Sequence, residues 1–262
     1  MSIDDFSIWF VFVATTLLVV AAIELGYMLG KSAHRRTEDE KESPVSAIAG
    51  TVLALLAFML AFTFAIVSDR YDSRKALVRE EAGAIRSSYS QASFLPEPDR
   101  DTAKGLYQQY VGLLLEAADA ADDGNADKLP ELIGQGQAIQ AQLWSMAVAK
   151  VNGGDNSDIS AMYADSLTEM ANVQAERIAV AVQARIPTGI WLVLYALVIL
   201  GMISVGYQTA IAASRRTWAM VLLALSFSIV ITLIAALDNP EHGYLPVSQQ
   251  PLKDLQVWMQ QY

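Results

Sequence analysis

The chain contains no cysteine, which removes disulfides, iron–sulfur ligation and thiol nucleophiles. Histidine is almost as scarce. His34 and His242 are the only two, too few for a histidine-built metal site, and no cofactor is expected. Also missing are a P-loop, HExxH, GxSxG, and any GxGxxG beside a strand pattern. Glu80–Glu81 and Asp122–Asp123 are adjacent carboxylates, but neighbours on a helix point to different faces, so both pairs read as solvated charge. Together these absences argue against an enzyme. Basic residues are missing from the opening MSIDD, so the first apolar run does not read as a cleaved signal peptide. Excess positive charge is lacking as well. The net charge is −10, and residues 68–185 hold 18 acidic against 11 basic side chains, the reverse of a nucleic-acid-binding surface.

What the chain has is apolar length. It is 53% hydrophobic with a mean hydropathy of +0.31, too apolar for an ordinary soluble protein. Four stretches are long enough to span a bilayer: Phe6–Ile23 (reaching Gly30 across Glu24), Val45–Val67, Ile186–Ser214 and Thr217–Leu237. Lipid leaves no water for open backbone groups, so these spans are expected as helices. The fold class is therefore all-α, with four transmembrane helices and a helical-bundle insert formed largely by extensions of spans two and three. The expected division is 6–30, 45–67, 186–213 and 217–237 for the spans, 68–185 for the insert, and 238–262 for a C-terminal interfacial tail.

Span two is the organising element. The uncharged run Val45–Val67 turns abruptly polar at SDRYDSRK without losing helix-forming character, which predicts one long helix to about Tyr89. Inside the insert, Pro96 and Pro98 mark a break, and Asp99 is the expected N-cap of the next helix. DDGNAD and VNGGDNSD are turn signals either side of a helix Leu129–Val151, with Leu132, Ile139, Leu143 and Met146 at apolar positions. A further helix, Ile159–Arg185, runs into span three, with Pro187 at the junction as a kink or restart. Near the C-terminus, Leu252, Leu255, Val257, Trp258 and Met259 suggest a short amphipathic helix with Trp258 suited to a membrane interface.

Charge sets the expected orientation. The two short loops carry Lys31, Arg35, Arg36, Lys41, Arg215 and Arg216, whereas the N-terminal flank is Asp4 and Asp5. The positive-inside rule then places the loops in the cytoplasm and the insert outside, against the dissent of Arg70, Arg74, Lys75, Arg79 and Arg86 after span two.

Two features carry functional possibilities. Glu24 interrupts span one, as an interfacial carboxylate that snorkels or pairs with a basic neighbour, or as a buried polar group on an ion route. Nearby Gly26 and Gly30 form a GxxxG that would admit another helix closely. Phe58, Phe62 and Ile66 recur every four residues on span two, followed by Asp69, Arg70, Asp72 and Arg74. In a ring of subunits this gives an apolar constriction followed by a vestibule with charges at Arg70, Asp72 and Arg74. Alternatively, the stripe only packs against neighbouring helices or lipid.

The run LLAFMLAFTFAIVSDRYDSRKALVREEAGAI resembles the signature of the bestrophin-like domain family of bacterial membrane proteins. The resemblance extends to FLPEPDR, RIPTGIWLVLY and LDNPEHGYLPVSQQPLKDLQ, covering nearly the whole chain. Gly83 departs from it, where the family is expected to favour asparagine, and suggests a lost polar contact or a close approach. The family is distantly similar to bestrophins, pentameric anion channels with apolar pore residues four apart on the second span. Phe58, Phe62 and Ile66 match that spacing, while Tyr71, Asp72, Arg74 and Lys75 resemble the run that follows it, without its tryptophans. Bestrophins keep their helical domain in the cytoplasm, opposite to the charge reading here. The resemblance thus implies a multi-pass protein of a bacterial cytoplasmic membrane, embedded in lipid as a homo-oligomer that passes inorganic ions. The rival reading is a non-conducting sensor or scaffold whose insert binds a partner.

Overall fold

The computed structural model describes residues 7–34, 42–154, 157–183, 185–212, 218–238 and 245–261. Of the residues singled out above, Asp4, Asp5, Arg35, Arg36, Lys41, Arg215, Arg216 and His242 lie outside them, as does the side chain of His34. Among the described residues eight α-helices follow one another: α1 (Ile8–His34), α2 (Glu42–Ala92), α3 (Asp99–Asp122), α4 (Leu129–Asn152), α5 (Asp158–Gln183), α6 (Thr188–Ile211), α7 (Trp218–Asp238) and α8 (Gln250–Met259). Among the described residues there is no strand. Four helices, α1, α2, α6 and α7, are long and apolar enough to cross a membrane.

The chain divides into two compact units, Met1–Asp69 with Arg185–Asn239, and Arg70–Ala184 with Pro240–Tyr262. The first holds the apolar helices. In it α1 packs along α6 and α7. The α1–α6 contact is made through glycine: a Cβ on Gly26 would strike the backbone of Ile203, and one on Gly206 the backbone of Ile23. Without side chains at these points the two backbones approach closely, and Gly30 repeats the arrangement one turn on, against Tyr207 and Ala210. Thr15 and Tyr195 share a hydrogen bond of 3.0 Å across the same pair of helices. Between α2 and α6, Gln208 donates to the Ser46 hydroxyl at 3.0 Å.

Chain breaks follow local chemistry. The helix start at Thr188 has Pro187 as its N-cap in an extended conformation (φ −55°, ψ 136°), so the proline restarts the chain as a new helix. The free N–H of Ile186 is answered by both carboxylate oxygens of buried Asp238, at 2.9 and 3.2 Å. Ile186 and Asp238, far apart in sequence, therefore meet at one point. Asp99 is not the N-cap of α3; it is the first helical residue, after Pro98, and no side chain caps the helix. The first turn is instead closed by the carbonyls of Pro96 and Pro98, which accept from the backbones of Arg100 and Thr102 at 3.2 Å. Both glycine-bearing turn signals hold a residue with positive φ, Gly124 at 74° and Gly154 at 92°.

The second unit is the polar half of α2 with α3, α4, α5 and α8. Its core gathers Val78, Ile85, Tyr89, Tyr107, Tyr110, Leu143, Tyr163 and Met170. Ile139 and Leu143 face it from α4 as expected, with Met146 partly buried, and Leu132 of the same helix is buried as well. The C-terminal helix departs from the expectation of an interfacial tail. Leu252, Leu255 and Met259 of α8 are buried in this same core, each worth about 1.5–3 kcal/mol before ordering costs. Trp258 lies edge-on to Tyr89, with ring centroids 5.6 Å apart, and under the Arg86 guanidinium at 4.5 Å. The amphipathic pattern was real, but a helix pattern does not say whether its apolar face meets lipid or protein. At Gly83 a Cβ would find no heavy atom within 4 Å, so no close approach within the chain explains that glycine.

Candidate functional site

On α2 the side chains separate cleanly by face. Leu56, Leu60, Thr63 and Val67 are buried against the rest of their unit. At about 100° per residue they lie roughly 140–200° round the helix from Phe58. Phe58 and Phe62 occupy the opposite face, 66% and 55% exposed, and Ile66 beyond them is half-buried. Thr63 folds its hydroxyl back onto the Met59 carbonyl at 2.7 Å, so the packed face presents no spare donor. Of the four apolar helices α2 is the least covered by its own chain: 22% of its apolar window is buried, against 28% in α1 and 33% in each of α6 and α7.

The other expected site residues fall differently. Asp72 is exposed and paired with Lys75 at 3.6 Å, with that ammonium also 5.4 Å from the Tyr71 ring centre. Arg70 is half-buried and Arg74 is buried in the single chain. The reason is register: Arg74 shares the α2 face of Leu77, Val78 and Glu81, which turns inward. Glu24 is half-buried on α1, between Ile23 and Gly26 of the close α1–α6 contact, on a different helix from the phenylalanines.

The expectation that Glu81 is solvated is overturned. Its side chain is completely buried and forms an ion pair with Arg177 of α5. Around this pair runs a chain of polar groups. Gln140 donates to the Tyr110 hydroxyl at 2.9 Å, and that hydroxyl lies 3.5 Å from Glu81 Oε1. Arg177 also donates to Gln249 Oε1 at 3.0 Å, and Gln249 to the Val247 carbonyl at 2.8 Å. Helices α3 and α5 thus meet α2 on one carboxylate, and α4 and the segment leading into α8 join through Tyr110 and Arg177. A signal for this was present: Glu81 stands four residues before Ile85 and four after Leu77, on the apolar face, whereas Glu80 is one step off it.

A second polar cluster sits in the same core. Ser88 and Tyr107 hydroxyls are 2.5 Å apart, Tyr107 donates towards Tyr163 Oη at 3.4 Å, and Ser166 lies 3.0 Å from Ser88. Burial pushes the Tyr107 and Tyr163 phenols above their ordinary range, and for Tyr107 the neighbouring Tyr163 adds to the rise. Tyr110 is raised by burial first and by the Glu81 carboxylate second.

A model of the bestrophin-like domain matches residues 7–252. The chain belongs to the bestrophin-like family. Solved structures share its fold over nearly its whole length. An isoleucine-to-threonine variant of a bacterial bestrophin homologue from Klebsiella pneumoniae aligns with a TM-score of 0.62 at 15% identity, covering 97% of this chain and 96% of that one. An aspartate-to-alanine variant of the Klebsiella pneumoniae homologue gives 0.60 at 13% identity, with 97% and 98% covered. A serine-to-alanine variant described as a membrane protein gives 0.62 at 15%, with 97% and 95% covered. At these identities the likeness establishes the fold. No curated protein matches the chain. Family and helices together make this bestrophin-like chain a multi-pass membrane protein.

Proposed function

We propose that copies of this chain assemble around a shared ion pathway lined by α2, with Phe58, Phe62 and Ile66 forming its apolar constriction. The observation that carries this reading is the Phe58–Phe62 face, bare in the single chain and opposite the face that α2 uses for its own packing. Helices presenting such faces to a common axis leave a dry narrowing where an ion sheds water. Charge further along α2 is nearly balanced at the surface, with Asp72 beside Lys75 and Arg74 withdrawn, so selectivity between small inorganic ions is weak. Removing bulk should widen and wet the constriction. Phe62→Ala is expected to raise conductance in planar bilayers, with alanine at Phe64, about 160° round the helix from Phe62, changing it little. Silence of both wild type and Phe62→Ala across voltages and salts would sink the pathway.

The rival role, a non-conducting sensor or scaffold, is favoured by the Glu81–Arg177 network, which ties five segments of the insert unit to one buried charge. Under either role the protein sits in a bacterial cytoplasmic membrane, and the basic loops favour an insert outside. A cysteine introduced at Asn125 would be the chain's only thiol, so labelling of intact cells by an impermeant thiol reagent reads the side directly. Labelling only after lysis would reverse the orientation.

A further inference from the structure

Helix α8 has 10 residues, too few to hold a helix together in water, so its helicity depends on what it docks against. It packs on α3 and buries Leu252, Leu255 and Met259 in the insert core. Against that burial stands the conformational freedom given up along the whole helix, so the apolar contacts alone leave the docked state near balance. Polar contacts at the two ends tip it. At the C-terminal end the Met259 carbonyl has no helical partner ahead of it, and it accepts from the Tyr89 hydroxyl at 3.2 Å and from Gln108 Nε2 at 3.5 Å.

The N-terminal end is less usual. Gln249 occupies the N-cap position, yet its side chain caps nothing. Its carboxamide is used elsewhere. The oxygen accepts from Arg177 Nη2 at 3.0 Å, and the nitrogen donates to the Val247 carbonyl at 2.8 Å. The other guanidinium nitrogen, Nη1, holds the buried Glu81 carboxylate. A guanidinium is planar and rigid, so the direction it offers Gln249 is fixed by the ion pair on its other side. The head of α8 is therefore placed by a charge pair between α2 and α5, not by a cap of its own.

We propose that α8 is a releasable strap and that Gln249 is the catch that couples its docking to the Glu81–Arg177 pair. Opening lifts α8 off Tyr89 and Gln108 while α2 to α5 stay folded, because the ion pair and the Ser88–Tyr107–Tyr163 contacts that join those helices do not use it. Hydrogen exchange of the full chain in detergent, read by mass spectrometry, tests this. Amides of α8 should exchange at least about tenfold faster than those of α3 around Tyr107 and Tyr110, under conditions far from melting. Gln249→Ala should speed α8 by a further factor of about ten, the loss of one hydrogen bond to a charged group, and leave α3 unchanged. Val257→Ala, on the exposed face of α8, should change neither. Glu81→Leu combined with Arg177→Met should melt near the wild type while α8 still exchanges fast, because the catch has lost its donor. Recovery of both together would show that the pair is only structural and would overturn the coupling. Exchange of α8 in step with α3 in the wild type, or α8 exchange unmoved by Gln249→Ala, overturns the strap. So does a Gln249→Ala chain that fails to fold, since a strap opens without the rest of its unit.

Discussion

In the apolar unit the tightest helix contact runs through Gly26 and Gly206, where any side chain would meet backbone. In the insert unit the centre is instead filled with Tyr89, Tyr107, Tyr110 and Tyr163 around an ion pair. The two units answer different solvents. Lipid is as apolar as leucine, so burying leucine against leucine gains little there, and helices associate by close backbone approach. Water rewards burial of large side chains, and the insert uses it, then satisfies the hydroxyls and carboxylate it buries by linking them to one another. The outward faces differ in the same way. Phe58 and Phe62 are unremarkable against lipid, whereas Trp144, Val148 and Val151 stand exposed on the insert.

That contrast can be broken at three places, in descending order of effect. The largest is Arg177→Met, which leaves the Glu81 carboxylate buried without its cation. Thermal melting should show a loss of about 3–5 kcal/mol, and Glu81→Leu combined with Arg177→Met should recover most of it. A melting curve unchanged by the single substitution would mean that water reaches the pair. Next is Gly206→Leu, which forces α1 and α6 apart at Ile23. A cost of about 1–3 kcal/mol is expected, with reduced recovery of folded protein from membranes; normal recovery would show that the helices shift without penalty.

The smallest effect is alkaline. The Tyr107, Tyr110 and Tyr163 phenols are raised by burial, so the folded state holds its protons where the unfolded chain releases them. Their contribution is complete below the ordinary tyrosine range near pH 10 and is lost as pH climbs above it. Stability should therefore fall above about pH 10, and Tyr107→Phe should flatten the decline. Tyrosinate absorbance that appears before unfolding and is diminished in Tyr107→Phe would contradict the burial.

Much of this was legible in advance. The four apolar helices followed from run length, because only a helix satisfies its own backbone in lipid. The turns at Gly124 and Gly154 followed from residues that tolerate positive φ, and the family followed from motifs spread along the chain. A register error was of another kind. Glu81 read as solvated charge because adjacent carboxylates usually are, yet it stands on the inward face of α2.

The sequence by itself determined the elements, their membrane-spanning character and the phenylalanine stripe of α2, since all three depend on local spacing and composition. Tertiary structure alone decided three other matters. Asp238 tethers Ile186, Glu81 finds Arg177 across 96 positions of chain, and α8 buries Leu252, Leu255 and Met259 in protein. A carboxylate or an amphipathic face states what it needs, but its partner is supplied by whichever distant segment the fold brings within a few ångströms.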